Sequence, residues 1–181
     1  MLVLLLLTLF VDDAAIKAIE LVGGSVQTIP DLPSNVRLRQ ISDPQLRDLS
    51  LSVFAGGRLT LLETKLTDRG LQAIKGTGFR YLDISYGNKY ITLEGVVEVT
   101  KQMPQLKELS LLGKKGDLSK LSDVKLTRLS LLGPLYTDED IVSVAKLNTL
   151  THLVLIGSKV SPEVLGELKR ALPNTKITVE D

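Results

Sequence analysis

The chain contains no cysteine and no tryptophan, and its only histidine is His152. Without cysteine there is no disulfide, no thiolate metal site and no cysteine nucleophile, and the redox compartment leaves no trace in the sequence. A single histidine argues against a histidine-built zinc site and against a Ser-His-Asp triad. Aromatic residues make up 4% of the chain, which argues against base-stacking platforms and aromatic ligand cages. Charge of either sign is not in excess: 22 basic and 21 acidic residues leave +1, with no net-charge footprint for nucleic acid. The Gly- and Lys-containing stretches GLQAIKGTGF and GKKGDLS lack the spacing of a phosphate-binding loop and read as turns. These absences lead us to expect no cofactor, no metal, no nucleic-acid partner and no catalytic residue. His152 has no serine or acid beside it by motif, and Asp83 with Glu63 would make only an incomplete cage for a cation.

What is abundant is leucine, at 37 of 181 positions, in a chain long enough for one domain with a sizeable core. The start, MLVLLLLTLFV, is an apolar run over residues 1–11 that is too short to span a bilayer. It has the length of a signal-peptide core but no basic residues ahead of it and no A-x-A cleavage site. It reads as a signal or anchor segment, as a cap over the core, or as a scar. The first reading places the protein outside the cytoplasm or at a membrane, through residues 1–11 alone. Residues 12–35 follow as a capping helix, started by Asp12 or Asp13 and stopped at Gly23–Gly24, with a loop after it.

From residue 36 to the end two patterns run in phase. The first is Leu-x-Leu or its equivalent, at Val36/Leu38, Leu59/Leu61, Leu82/Ile84, Leu109/Leu111, Leu129/Leu131, Leu153/Leu155 and Ile177/Val179. The second is an apolar residue, then Ser or Thr, then apolar residues at helical spacing: ISDPQLRDL, LTDRGLQAI, ITLEGVVEV, YTDEDIVSV and VSPEVLGEL. Alternation sends leucines to one face of a short strand. A hydroxyl followed by Asp, Glu or Pro starts a helix by capping its free N–H groups. Each unit therefore reads strand, turn, helix, return, and about six such units stack into a curved α/β solenoid. The unit between the two LSLLG copies, KKGDLSKLSDVK, has no capped template and reads as a loop with at most one helical turn.

In these motifs the chain resembles the leucine-rich repeat family, and within it the helix-containing, ribonuclease-inhibitor-like repeats common in bacteria. LTHLVLIGSKVSPEVL, LTDRGLQAI and ELKRALPNTKI carry the resemblance. It implies a right-handed α/β horseshoe segment over residues 36–181, with parallel strands on the concave face and helices on the convex face. Many members have Asn or Cys just after the strand, where this chain has Gly113, Gly133 and Gly157. That departure predicts that the side-chain ladder bonding the loop backbone is missing.

The concave face is then set by the residues flanking each leucine pair. A first column takes Arg37, Arg58, Tyr81, Glu108, Arg128, His152 and Lys176. A second takes Thr60, Asp83, Ser110, Ser130, Val154 and Thr178, and a third Leu62, Ser85, Leu112, Leu132 and Ile156. An apolar third column on a polar face marks a partner surface. The expectation is a monomeric, non-enzymatic scaffold that holds a protein through Leu62, Leu112, Leu132 and Ile156, with Arg58, Tyr81, Asp83, Arg128 and His152 beside them. An envelope-associated structural domain tethered by residues 1–11 is one alternative. Substrate-recruiting repeats of a ubiquitin-ligase receptor are another, implied by the family resemblance alone.

Overall fold

The leucine pairs become the inward edges of a single eight-stranded sheet in a computed structural model that describes residues 12–29 and 32–180. The apolar run at residues 1–11 lies outside the described residues. The strands are β1 (Ser25–Ile29), β2 (Leu32–Arg39), β3 (Arg58–Leu62), β4 (Tyr81–Ile84), β5 (Glu108–Leu112), β6 (Arg128–Leu132), β7 (His152–Ile156) and β8 (Lys176–Glu180). They lie in the sheet in sequence order, and every pair from β2 to β8 is parallel. Register follows the leucines: Leu59 stands beside Leu82, Leu109 beside Leu129, and Leu129 beside Leu153. These pairs are fully buried under the returning segments, together with Phe79, Leu106, Leu126 and Leu150 from the upstream apolar position.

The returning segments carry α2 (Asp43–Arg47), α3 (Asp68–Leu71), α4 (Leu93–Thr100), α5 (Asp138–Val142) and α6 (Pro162–Ala171). Their N-caps are Ser42, Thr67, Thr92, Thr137 and Ser161, the hydroxyl residues of the second pattern. The short unit between β5 and β6 has room only for one 3-10 turn, Leu118–Leu121. At the start, α1 (Asp13–Leu21) is capped by the Asp12 side chain and buries Ala15 and Ile19. The segment after it, read above as loop, is β1, which pairs antiparallel with β2 and extends the sheet by one strand.

The caps are tied to one another along the stack. The Asp43 carboxylate accepts from both the N–H and the hydroxyl of Thr67, at 2.9 and 2.6 Å. Asp68 does the same for Thr92 one repeat on, at 2.8 and 2.7 Å, and Asp138 accepts from the Ser161 N–H at 2.9 Å. Hydrogen bonds from Ser161 hold the Asp138 carboxyl below its usual range. Burial alone would raise Asp140, but N–H groups of Thr137 and Gly116 outweigh it and leave that carboxyl lowered as well. A depressed folded pKa means stability that is present above the ordinary carboxylate value, about pH 4, and lost as pH falls through the folded value. The thermal midpoint should therefore drop below pH 4, and Asp138→Asn should flatten that drop. An unchanged slope in the Asn variant would remove Asp138 from the account.

A ladder under the turns is present after all, which corrects the expectation drawn from the glycines. It stands later in each turn and uses a different residue each time. The Asn88 amide donates to the Leu61 and Ser85 carbonyls, and its oxygen accepts from the Thr64 N–H and hydroxyl. Lys114 Nζ donates to the Asn88 and Ile91 carbonyls at 2.5 and 2.6 Å, and the Tyr136 hydroxyl donates to the Leu111 carbonyl. Ser158 continues the line by donating to the Gly133 carbonyl. Gly113 and Gly133 keep their turn role, with positive φ of 62° and 93°.

Candidate functional site

The sheet face opposite the helices is built by the residues that alternate with the core leucines. Strand pairing places them in three rows. The first runs Asn35, Arg58, Tyr81, Glu108, Arg128, His152, Lys176, and the third runs Arg39, Leu62, then Ser85 at the end of β4, Leu112, Leu132, Ile156, Glu180. Arg37 is not in the first row, as the sequence columns had it. It pairs with Thr60 in the middle row, and Asn35 takes the place beside Arg58. The shift sets Arg37 one row away from Arg58 on the adjacent strand, diagonally across from it.

Leu112, Leu132 and Ile156 are direct neighbours across β5, β6 and β7, and all three are half-buried. Leu62 is also half-buried but is separated from them by Ser85, which is buried. The apolar row is therefore a contiguous three-residue strip with one outlier. Leu112 leans over the next turn, where a β-carbon on Gly133 would come within 2.9 Å of its Cδ1. Leu135, 52% exposed, stands over Gly113 in the same way and prolongs the strip onto the rim. Tyr86 and Tyr90, both more than half exposed, stand on the loop after β4, and Tyr86 shares a recess with Leu62. The sequence columns did not include Tyr86, Tyr90 or Leu135, because they belong to loops rather than strands.

Two recesses of about 390 Å³ each open beside the row. One lies between β1 and β4 and is lined by Gln27, Asn35, Arg37, Arg58, Thr60, Leu62 and Asp83. Here the Arg58 guanidinium lies 3.8 Å from the centre of the Tyr81 ring. Asp83 has one carboxylate oxygen buried without a hydrogen-bond partner, and burial raises its carboxyl against the opposing pull of Ser85. Tyr81 is raised too, first by burial and then by the nearby Asp83 charge. The other recess is a shallower groove between the loops after β4 and β5, lined by Lys89, Lys115, Glu94, Leu112 and Leu135 among others.

Of the remaining sequence candidates, Arg128 is half-buried between Glu108 and His152. His152 is exposed, and its ring Nδ1 lies 3.0 Å from the Thr151 hydroxyl, which also bonds the Thr127 carbonyl. Glu63 sits past the end of β3 at φ 49°, outside the lining of the Asp83 recess. Among the described residues no three His, Cys, Asp or Glu side chains gather in a metal-binding group.

The concave side carries an excess of bases, while α1 and the returning segments hold acids and the other twelve bases together. The outward strand positions and the loops that follow the strands hold Arg37, Arg39, Arg58, Arg128, Lys176, Lys65, Lys89, Lys114, Lys115 and Lys159. Against them stand Asp83, Glu108, Glu180, Glu63 and Asp117. The acids that balance the chain sit mainly at helix starts on the other side, among them Asp43, Asp68, Asp138, Glu139 and Asp140. Net charge of +1 hides this excess.

Strand order, leucine register and capped returns make the molecule a leucine-rich-repeat solenoid of the helix-containing type. No protein-family model and no curated protein matches the chain. Among solved structures it is similar to internalin C2 from Listeria monocytogenes, at 17% identity and a TM-score of 0.44, over 81% of this chain and 73% of that one. At that score the architecture rests on the chain's own register and caps.

Proposed function

We propose that the protein is a non-enzymatic scaffold that holds another protein on the concave strand face. The observation that carries this reading is the half-exposed strip Leu112–Leu132–Ile156 on a sheet face whose other outward positions, Leu62 and the buried Val154 apart, are mostly polar. An apolar strip left partly open on a rigid surface gains by being covered, and a preformed sheet loses little conformational freedom when it is. Leu62, Arg58, Tyr81, Asp83, Arg128 and His152 complete the contact set, with Tyr and Arg as the side chains most often dominant at such surfaces.

The test compares affinity capture by three forms: the unaltered chain, Leu112→Asp with Leu132→Asp, and a convex control, Glu98→Lys with Glu167→Lys. Proteins held by the first and third and lost at least tenfold by the second are expected. The thermal midpoint of the aspartate variant should stay within about 3 °C, since both positions already face solvent in part. Equal capture by all three forms would end the concave-face reading. A collapsed midpoint in the aspartate variant would assign the strip to folding instead.

A further inference from the structure

Resting on that reading, the geometry points to a partner of definite chemistry: an extended acidic segment whose carboxylates enter the two recesses while its apolar side chains cover the leucine strip. Each recess sets one leucine of the row beside two basic groups, Leu62 with Arg37 and Arg58, and Leu112 with Lys89 and Lys115. All four basic side chains are exposed. The ion pairs among the described residues, Lys101–Asp123 and Lys120–Glu94, leave them out. Arg58 and Lys89 lie instead over the rings of Tyr81 and Tyr90, at 3.8 and 4.8 Å. A cation resting on a ring keeps its charge available and is already partly ordered, so a carboxylate meets it at reduced entropic cost.

The acids in the recesses offset this only in part, since Asp83 sets a single carboxylate against both Arg37 and Arg58. Glu94 is bound to Lys120 at 3.2 Å, and one oxygen of Asp83 is buried away from solvent. Leu62 and Leu112 are two strands apart, about 10 Å, which an extended chain crosses in about three residues. A nucleic acid would answer the charge but leave the strip unmatched, because aliphatic side chains give bases no stacking platform. Charge and apolar surface together favour an acidic, apolar protein segment.

A display library of random peptides, each about 12 residues long, is selected on the full chain, and the recovered peptides are measured by fluorescence polarisation. Those that lose binding in the Leu112→Asp, Leu132→Asp variant are expected to carry at least two Asp or Glu and a large aliphatic residue. They should weaken about tenfold or more in Arg37→Glu with Arg58→Glu, and by an intermediate amount in the Gln versions of both. Raising salt from roughly 50 to 300 mM should weaken them about fivefold. Strip-dependent peptides that are neutral or basic, or indifferent to the arginine changes, would overturn the acidic partner while leaving the concave-face reading standing. Peptides that ignore Leu112 and Leu132 altogether would overturn both. Tighter binding of a short duplex DNA than of any recovered peptide would also overturn it, in favour of a polyanion.

Discussion

Asn88→Ala is expected to destabilise the fold by about 3–5 kcal/mol, read by urea unfolding, and to lower the thermal midpoint by about 10 °C. Asn88 is 4% exposed and meets four groups at once: the Leu61 and Ser85 carbonyls at 2.8 and 2.6 Å, and the Thr64 N–H and hydroxyl at 3.1 and 2.6 Å. Truncation leaves all four without that partner, and an unsatisfied buried polar group costs more than a hydrogen bond contributes. Asn88→Asp sharpens the argument. It keeps the oxygen that Thr64 uses but turns the donating amide into a second oxygen facing two carbonyls. At neutral pH it should cost at least as much as alanine, and part of the loss should return at acid pH, where a protonated carboxyl donates again. The same turn carries Tyr86, which lines the recess beside Leu62, so capture of the proposed partner should weaken with it. A change under about 1 kcal/mol in Asn88→Ala would mean that water satisfies the turn and that the ladder is incidental.

That ladder also marks where the sequence stops being readable. Strand register was legible because two leucines with one residue between them have a single way to face a core. Helix starts were legible because Ser or Thr before an acid or proline is itself the capping chemistry. The ladder was not, since Thr64, Asn88, Lys114, Tyr136 and Ser158 share no residue type, and turn length varies between repeats. What they share is reach to a carbonyl, and that depends on where the turn above has already folded. The strand β1 was missed for a related reason: of Ser25–Ile29 only Val26 packs against the core, so the segment shows no alternation of its own. It acquires strand geometry by pairing with β2.

The candidate surface divides along the same line. Leu112 beside Leu132 follows from the repeat alone, because equal positions in consecutive units must be neighbours in the sheet. The tyrosines, Leu135 and the lysines of the rim depend on how loops of different length fold back over the strand ends. The charge bias was hidden by summation: acids are drawn to helix starts by the free N–H groups there, and the strand face keeps a basic excess. A net charge near zero is thus compatible with a basic excess on one face.

Gly95→Ala is expected to destabilise by about 2–3 kcal/mol, where a glycine-to-alanine change inside a helix ordinarily stabilises by about 1. Gly95 is buried in the first turn of α4 with helical backbone, so conformational freedom is not what selects it. A β-carbon there would overlap Asp68 Oδ1 and come within 2.7 Å of Asp68 Cβ. Either the carboxylate leaves, losing its two bonds to Thr92, or α4 moves away from α3. Gly70 stands in the same relation to Asp43 one repeat earlier, which makes the glycine of T-x-x-G, in Thr67–Gly70 and Thr92–Gly95, the socket for the aspartate of the preceding unit. A double-mutant cycle separates this from helix propensity. In an Asp68→Ala background the socket is empty, and Gly95→Ala should become neutral or stabilising, giving a coupling of about 2–3 kcal/mol. Additive effects would mean that the glycine answers to something other than the aspartate. Coupling of that size would show that helix spacing on the convex side is set by a carboxylate of one repeat seated on the backbone of the next. Strand spacing on the concave side is fixed by the sheet, so the curvature of the sheet from β2 to β5 would then follow in part from this contact, made at Gly70 and Gly95.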